Sequence, residues 1–475
     1  MRKAVVVFSF VTIVALIATG IAMADPPGSG WWSGEQIQNV GSSQATVQII
    51  AYGSGSTYSG DSRTLNPGAS TTYLPADFSG MPDGFQGAAV VSSDQPIKAI
   101  VNVTNRQVGS YGVAGGLAAA QYQGIDSSQA ATTVSFPLVK NDFYGKTTTF
   151  YIQNAGSSSA TITATYKVAA GDYTKTYTNI SANEMVVLNP ADANVPSGTG
   201  SLGALTVTSD QPIAGVVLEH QTSASPATVL QATRGFVPGD FDTKIYAPIV
   251  KRGFYNRHTG IQIQNVSSSN VDITVTYYPV AGCSGGPYTS TYSGLTPGAS
   301  HTFFDDPNLP SGCLASAVIT ATGNIVGVVN ETFYPSVPAG QQQAQTTYSC
   351  IPDKVATTKV SVPLYKNKFY NKTTGLQIQN VGTANATVQL VFTDQNGTSY
   401  TLSNETIAPG AAKTYLELDN LSGTWSTQPG TGLLMGVIVT ADQPIVAIAN
   451  ESVYPYDGSV LVQDKNNYEG FNLTP

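Results

Sequence analysis

The fold of this chain can be worked out from one stretch, Thr374-Gly-Leu-Gln-Ile-Gln-Asn-Val-Gly-Thr-Ala-Asn-Ala-Thr-Val-Gln-Leu-Val-Phe392. In its first half Leu376 and Ile378 alternate with glutamines, and in its second half an apolar residue returns at every second position from Val388 onward. This alternation is typical of β-strands that bury one face. The stretch therefore predicts a strand, a turn and a second strand.

The same stretch occurs four times along the chain. The equivalent strands end at four asparagines, Asn39, Asn154, Asn265 and Asn380, which are 115, 111 and 115 residues apart. We therefore interpret the chain as four repeats of one unit, whose length is common for a domain that folds independently. The predicted ranges of repeats one to four are 25–128, 129–240, 241–355 and 356–475. We expect the repeats to be separable at loose connections near Ser128, Gly239 and Val355.

Each repeat contains strand and turn signals in the same order. An opening strand with a proline, such as Phe136-Pro-Leu-Val139, precedes the organising strand and its successor, and a Pro-Gly turn such as Ala408-Pro-Gly410 follows them. A long hairpin then closes the repeat, with its turn at Asp-Gln-Pro, as in Asp210-Gln-Pro212. Roughly seven or eight short strands without helical periodicity indicate an antiparallel β-sandwich of immunoglobulin or fibronectin-III type.

We therefore predict an all-β chain of four tandem Ig-like antiparallel β-sandwich domains after a signal peptide. The alternative is a barrel, but opening strands marked by proline fit the edges of an open sandwich better. The first repeat lacks most of its opening strand and has Trp31-Trp32 where the others have Phe-Tyr.

Residues 1–24 have the pattern of an export signal. Arg2 and Lys3 precede a mostly apolar run, and Ala22-Met23-Ala24 is a small-x-small cleavage site. The alternative is an uncleaved membrane anchor, because the apolar run approaches the length that spans a bilayer. The cleavage site favours removal, so we expect a secreted or cell-surface protein with no membrane span in the mature chain.

Composition and motifs narrow the functional classes. The chain has 21 Lys+Arg against 29 Asp+Glu, a net charge of −8, and this balance argues against nucleic acid as a partner. An apolar fraction of 41% is enough for packed cores and argues against a disordered stalk. The sequence has no Ser-His-Asp or Cys-His set, phosphate loop or zinc spacing in a recognisable motif. We therefore expect no enzymatic activity, no metal and no cofactor.

A series of short motifs resembles a known kind of protein. The motifs are Pro-Leu-Val…Phe-Tyr, Ile-Gln-Asn-Val-Gly, Leu-x-Pro-Gly-Ala-Ser, Ser-Asp-Gln-Pro-Ile-x-Ala-Ile-Val-Asn and Tyr-x-Gly. Together they resemble the tandem repeats of secreted surface proteins of filamentous bacteria, a largely uncharacterised family. The resemblance covers nearly the whole mature chain and implies an extracellular β-sandwich array without implying an activity. Repeat one, short of its opening strand, and repeat three, without Asp-Gln-Pro, depart from it.

Two sets of repeated polar residues have a structural and a functional interpretation. Asn39, Asn154, Asn265 and Asn380 are interpreted as residues that close turns, with a repeated ligand contact as the alternative. Asp94, Asp210 and Asp442 are interpreted as turn residues. A calcium site is the alternative for them, but calcium needs six to eight oxygen ligands and each turn has one aspartate.

The three cysteines all lie in repeat three. We predict a disulfide between Cys283 and Cys313, because an exported protein meets an oxidising environment and both residues belong to the same repeat. Cys350 is the odd one out, either free or paired between chains.

Basic residues are concentrated around the opening strands. The candidate positions are Lys140, Lys251, Arg252, Lys366 and Lys368, near the aromatic pairs Phe143-Tyr144, Phe254-Tyr255 and Phe369-Tyr370. One interpretation is that these lysines protect an edge strand from pairing with another sheet. The other is a surface for an anionic partner, such as a cell-envelope polysaccharide or the acidic face of another surface protein, including further copies of this one.

The sequence thus predicts a secreted or cell-surface array with a structural or adhesive role and no catalysis. The alternative is an extracellular carbohydrate-binding protein, with tyrosine-rich loops that stack on sugars. An aromatic shelf repeated at equivalent loop positions would favour that alternative.

Overall fold

The structure is a computed structural model that describes residues 11–18, 30–53, 55–105, 119–222, 230–333, 345–453 and 466–473. Every strand pairing within these ranges is antiparallel, and the helices there are short 3-10 turns, so the all-β prediction is confirmed. No helix in the described part of the chain is long and apolar enough to cross a membrane. The predicted cleavage site at Ala22–Ala24 lies outside the described residues.

The described residues before Asp242 form seventeen strands. The first, β1 Val11–Ala18, lies in the predicted export signal. Those of repeat one are β2 Trp31–Asn39, β3 Ala45–Gly53, β4 Ser56–Ser59, β5 Arg63–Leu65, β6 Ser70–Tyr73, β7 Gln86–Ser93, β8 Ile97–Asn105, β9 Ala119–Gln123 and β10 Ile125–Asp126. Those of repeat two are β11 Ala131–Val139, β12 Lys146–Asn154, β13 Ala160–Val168, β14 Gly171–Ile180, β15 Met185–Leu188, β16 Gly203–Gln221 and β17 Leu230–Arg234.

The last two repeats continue the same order. Those of repeat three are β18 Asp242–Phe254, β19 Arg257–Asn265, β20 Val271–Ala281, β21 Tyr288–Leu295, β22 Ser300–Phe304, β23 Cys313–Phe333, β24 Thr346–Ser349 and β25 Ile351–Pro352. Those of repeat four are β26 Thr357–Asn367, β27 Lys372–Asn380, β28 Ala386–Asp394, β29 Ser399–Ile407, β30 Ala412–Tyr415, β31 Thr424–Trp425, β32 Leu433–Val453, β33 Asn466–Glu469 and β34 Phe471–Asn472. The 3-10 turns are Pro75–Asp77, Ser127–Gln129, Pro190–Ala193, Thr199–Ser201, Pro238–Asp240 and Asp353–Val355.

Each repeat has two facing layers, and the organising strand and its successor lie in different layers. In repeat one, β2 pairs with β6 and β8, whereas β3 pairs with β4, β5 and β7. The register is the same in every repeat. The asparagine that ends the organising strand always pairs with an isoleucine of the segment that closes the repeat. These pairs are Asn39–Ile97, Asn154–Ile213, Asn265–Ile325 and Asn380–Ile445.

The predicted closing hairpin is wrong. In repeat two this segment is the single strand β16, whose first half pairs with β13 and whose second half pairs with β12 in the other layer. The Asp210 carboxylate accepts a hydrogen bond from the Thr161 N–H at 2.8 Å, and the Pro212 carbonyl accepts one from the Ala155 N–H at 2.8 Å. These bonds make Asp-Gln-Pro a corner that carries the strand from one layer to the other instead of reversing it.

The three predicted separation points near Ser128, Gly239 and Val355 lie in or beside the 3-10 turns Ser127–Gln129, Pro238–Asp240 and Asp353–Val355. The looseness of these connections stays a prediction. Independent folding of the repeats stays a prediction.

Neighbouring repeats share apolar cores. Residues from one repeat complete the core of a neighbouring repeat: Tyr151 and Val216 in that of repeat one, Val446 and Ile448 in that of repeat three, and Ile100 in that of repeat four. Between repeats two and three, Phe236 packs on Val326 and Val328. Four such junctions join repeats one and two, two and three, three and four, and four and one.

Three of the four junctions share one kind of contact. The last glutamine of an organising strand reaches the long strand of the preceding repeat, as in Gln264 Nε2 to Thr206 Oγ1 at 3.2 Å and Gln379 Nε2 to the Ala317 carbonyl at 3.3 Å. Gln38 of repeat one makes the corresponding approach to repeat four, where its side-chain amide lies beside Gly436. Head-to-tail contacts between like units form a closed ring when the first unit also contacts the last. Here repeat one contacts repeat four.

The strands that end each repeat also contact one another. Strand β9 contacts β17 and β33, and β24 contacts the same two strands, so the four strands touch in a cycle. A bond from Gln123 Nε2 to the Glu469 carbonyl, 2.6 Å long, joins repeat one to repeat four directly. These contacts place the terminal strands of the four repeated segments in one closed cycle.

Candidate functional site

Three glutamates occupy the same buried position near the end of the long strand. Glu219, Glu331 and Glu451 are 4%, 3% and 3% exposed. Each accepts a hydrogen bond from a lysine of its own opening strand. The distances are 2.8 Å for Lys140 to Glu219, 2.6 Å for Lys251 to Glu331 and 2.7 Å for Lys366 to Glu451.

A second cation, the first residue of the organising strand, approaches the same carboxylate. Arg257 Nη1 is 2.9 Å from Glu331 Oε1, and Lys372 Nζ is 3.1 Å from Glu451 Oε1. Lys146 holds this position in repeat two, where burial and then the charge of Lys140 lower its pKa to about 8 against the opposing effect of Glu219. We call the glutamate and its two cations the buried triad of a repeat.

The glutamates of the triads in repeats two and four remain ionised at neutral pH. Burial raises the pKa of Glu451, but Lys366 and Lys372 outweigh it and hold the pKa at about 2. The same balance between burial, Lys140 and Lys146 leaves the pKa of Glu219 below its usual value. Charges removed from water are tolerated only when they are paired in this way.

The two remaining predicted cations also have carboxylate partners. Lys368 Nζ lies 2.6 Å from Asp419 Oδ2, and Arg252 Nε lies 3.3 Å from Asp305 Oδ1. All five candidate cations therefore engage a carboxylate of their own repeat, and Lys140 is only 9% exposed. Their binding of an anionic partner stays a prediction, but the structure gives them an internal role.

Directly beside each triad is a tight turn between the opening and organising strands. These tip turns are residues 143–146, 254–257 and 369–372, and the first and last residues of each turn pair with one another. In the third, the Phe369 N–H donates to the Lys372 carbonyl at 2.9 Å and the Lys372 N–H donates to the Phe369 carbonyl at 3.0 Å. The sequence signal for these turns is the aromatic pair followed by glycine or asparagine.

The two central residues of every tip turn have positive φ, as a type I′ turn requires. The second is a glycine or an asparagine, which adopts this conformation readily, with φ of 75° at Gly145, 56° at Asn256 and 59° at Asn371. The first is a tyrosine, with φ of 49° at Tyr144, 50° at Tyr255 and 46° at Tyr370. A bulky residue in this region is unusual and costs about 1–2 kcal/mol.

The tyrosines are also the most exposed large apolar side chains in the described part of the chain. Tyr144, Tyr255 and Tyr370 are 79%, 69% and 79% exposed. Each ring meets the preceding phenylalanine edge-on, with centroid distances of 4.8, 4.7 and 4.5 Å. In repeat four an open pocket adjoins the turn and is lined by Lys366, Phe369, Tyr370, Asn371 and Lys372.

The tip turns are at equivalent positions of repeats two, three and four. Their exposed tyrosines are therefore aromatic side chains repeated at equivalent loop positions. We call this set of three rings the tyrosine shelf.

Repeat one differs at both features. Trp31 is opposite Asn105, as Lys146 is opposite Gln221, so this tryptophan stands at the second cation position. The expectation that Trp31-Trp32 replaces Phe-Tyr is therefore wrong. The strand register aligns the tryptophans with Lys146 and Thr147, the first two residues of the organising strand in repeat two. Val103 stands where the other repeats have the triad glutamate.

The repeated asparagines close turns, as predicted. Asn39 Nδ2 donates to the carbonyls of Ser43 and Leu65 at 2.7 and 2.9 Å, and its Oδ1 accepts from the Gly41 N–H at 2.8 Å. Asn154, Asn265 and Asn380 make equivalent bonds. Asp94 and Asp442, like Asp210, accept from a strand N–H. Among the described residues, no group of three or more His, Cys, Asp or Glu could hold a metal ion.

The structure joins Cys283 and Cys313 in the disulfide that the sequence predicted. Cys350 is free and buried, and its burial raises the pKa of its thiol.

No known family model and no curated protein matches the chain. Three solved structures show the level of similarity found among known folds. Thermotoga maritima 1070 is 15% identical over 24% of this chain and 95% of its own, with a TM-score of 0.20. A tetra-tandem repeat from the extending region of a large adhesion protein is 12% identical over 96% of this chain and 97% of its own, with a TM-score of 0.11. A glycoside hydrolase family 32 structure from Bifidobacterium adolescentis is 7% identical over 92% and 98%, with a TM-score of 0.15.

Proposed function

We propose that this chain is an exported, non-catalytic adhesive protein of the cell surface. In this proposal the signal pattern of residues 1–24 directs export, and the ring of four Ig-like repeats is a rigid scaffold. The tyrosine shelf is the adhesive surface.

The observation that carries the proposal is the exposed tyrosine in a left-handed conformation, found in three repeats. A glycine or asparagine would form the same turn without the conformational cost, so the turn itself does not need an aromatic residue. Backbone strain of this kind is concentrated at functional sites. A tyrosine offers a large, rigid and amphipathic contact area with few torsions to fix, which suits recognition.

The arrangement in a ring adds multivalency. Three equivalent contacts on one rigid scaffold bind a repetitive surface together, so weak single contacts combine into high avidity. A bacterial or host surface with repeated ligands matches this geometry.

The second candidate function is the binding of extracellular carbohydrate. The repeated aromatic shelf is the specific observation that favours it, because an aromatic ring presents a flat apolar face to the C–H groups of a sugar ring. Polysaccharides are also repetitive, as a multivalent shelf requires.

The test compares binding of the 25–475 chain and of its variants to isolated cell envelopes and to immobilised polysaccharides. Each of Tyr144→Ser, Tyr255→Ser and Tyr370→Ser should weaken binding about tenfold, and the triple variant should weaken it by well over a hundredfold. Phe304→Ser is the matched control, because Phe304 is an aromatic side chain, 49% exposed, outside the tip turns.

Competition by soluble polysaccharide would assign the ligand as carbohydrate, whereas loss of binding after protease treatment of the envelope would assign it as protein. A triple variant that keeps its circular dichroism spectrum and binds like the parent would refute the adhesive role of the shelf.

A further inference from the structure

The opening strand has two partners in repeats two, three and four. It pairs with the first half of the long strand, and its centre pairs with the residues that end the repeat. The second kind of pair is Ser135–Phe236, Tyr246–Ile351 and Ser361–Phe471. Each opening strand thus lies between two strands of its own repeat.

In repeat one this position is taken by part of the predicted export signal. Strand β1 pairs with all eight residues of β7, from Val11 opposite Ser93 to Ala18 opposite Gln86. It also pairs with β10, where Val14 is opposite Ile125. This register is the one found in the other three repeats, so β1 is the opening strand that repeat one otherwise lacks.

We propose that removal of the export signal empties this position, that the two residues of β10 then move aside, and that the freed edge of β7 pairs with the β7 edge of a second molecule. This inference rests on the export and cleavage that are part of the proposed function. The product is a two-fold symmetric dimer in which the sheet that contains β7 continues from one molecule into the other.

Among the described residues of the mature chain, no strand is left to fill the position. After cleavage at Ala24, only Asp25-Pro-Pro-Gly-Ser-Gly30 precedes β2, and these six residues include two prolines that lack an N–H. The opening strands β11, β18 and β26 are each paired within their own repeats. The other edge of β7 is paired with β3.

The chemistry of the β7 edge favours a second β7. Its sequence, Gln86-Gly-Ala-Ala-Val-Val-Ser-Ser93, contains no charge and no proline. Natural edge strands carry such residues to prevent pairing, as β14 does with Asp172 and Lys175. An unprotected, eight-residue edge is a template for a new strand. Antiparallel pairing of a strand with itself is two-fold symmetric, the commonest symmetry of homo-oligomers.

The first experiment determines the N-terminus of the exported protein by mass spectrometry. A chain that retains residues 11–18 would show that the signal is not removed, which contradicts the export part of the proposed function and removes the open edge. A chain that begins at Asp25 leaves the dimer to be tested by itself.

The second experiment measures the mass of the 25–475 chain by analytical ultracentrifugation across micromolar concentrations. We expect a dimer, and we expect Val90→Lys with Ser92→Lys to raise its dissociation constant at least tenfold, because like charges meet across the two-fold axis. Thr208→Lys is the matched control, since Thr208 is the β16 counterpart of Ser92 and is already covered by β11 at Thr133.

A third variant keeps the result independent of folding defects. It carries the sequence of β11, Ala131–Val139, fused through a flexible linker before Gly30, so that a supplied opening strand fills the position. This variant should be monomeric and fully folded. A 25–475 chain that is folded and monomeric, or a fused variant that still dimerises, would overturn the proposal while leaving the adhesive role of the tyrosine shelf untouched.

Discussion

Repeats one and four have the same strand register and opposite chemistry at the start of the organising strand. Repeat four buries Lys366, Lys372 and Glu451 there, whereas repeat one has Trp31 and Val103 at the second cation and glutamate positions, 4% and 1% exposed. The same backbone therefore forms with an ionic or an apolar filling. This comparison shows that the fold of a repeat does not require the buried triad.

The triad accompanies the tip turn instead. Within repeats two to four, the lysine of the opening strand and the cation of the organising strand flank the Phe-Tyr pair in sequence, and the glutamate binds both sides of the turn in repeats three and four. A carboxylate held between two strands fixes their separation and direction at the point where the turn begins. We infer that the triad orients the tyrosine of the tip turn. In repeat one, Trp31 and Val103 pack at the same positions without such a tyrosine to orient.

The largest expected effect comes from breaking the triad of repeat four. Glu451→Gln leaves two buried ammonium groups without a carboxylate, which costs about 3–5 kcal/mol. Replacing the whole triad with the chemistry of repeat one, as Glu451→Val with Lys372→Trp and Lys366→Leu, should recover most of this loss. Calorimetry of the full chain measures both.

The pH dependence of this effect has a definite sign. Because the pKa of Glu451 is lowered to about 2, the stability it contributes is present above about pH 4.5 and is lost as the pH falls toward 2. The difference between the parent and Glu451→Gln should therefore shrink below pH 4.5. A loss under 1 kcal/mol at pH 7 would show that the triad is not a coupled buried unit.

A second prediction concerns a buried acid that only repeat one has at its position. Glu35 stands where the equivalent strands have Phe150, Ile261 and Leu376. Burial raises its pKa to about 8, against the hydrogen bond that the Ser33 hydroxyl donates to it at 3.0 Å. The folded state thus holds a proton that the unfolded state releases, and stability is lost as the pH rises from about 4.5 to 8.

Glu35→Gln removes this cost. The variant should be more stable than the parent by about 2–4 kcal/mol at pH 8, and the two should converge near pH 4.5. Thermal unfolding at both pH values measures the difference. Equal stability of parent and variant at pH 8 would show that Glu35 is ionised and solvated in the folded chain.

Local patterns were sufficient to predict much of the fold. Alternation predicted the strands, and the repeated asparagines predicted the turns, because both depend on residues that are close in sequence. The long strand was predicted as a hairpin, since Asp-Gln-Pro suits both a hairpin turn and a corner between two layers. Only the hydrogen bonds from the opposite strand decide that it is a corner, and a local pattern does not contain them.

The triads and the ring could not be predicted for the same reason. Lys140 and Glu219 are 79 residues apart, and Lys251 and Glu331 are 80, so the lysines alone indicated an exposed basic surface. The ring depends on contacts between repeats, such as Gln264 with Thr206, and both residues are ordinary strand residues in the sequence. The exposure of the tyrosines depends on the positive φ of the tip turns, which an aromatic pair does not by itself predict.

The smallest effect on stability is expected from the tyrosine shelf, and it separates the function of a tip turn from its folding. Tyr370→Gly relieves about 1–2 kcal/mol of conformational cost but loses about 0.5–1.5 kcal/mol from the contact with Phe369 and about 0.5–1 kcal/mol of chain entropy. These changes nearly cancel, so the variant should unfold within about 1 kcal/mol of the parent while its binding to the envelope falls. Tyr370→Phe keeps the ring and should match the parent in stability. Destabilisation by more than about 2 kcal/mol in Tyr370→Gly would mean that the tyrosine holds the turn together. The difference between repeat one and the others would then be one of folding and not of recognition.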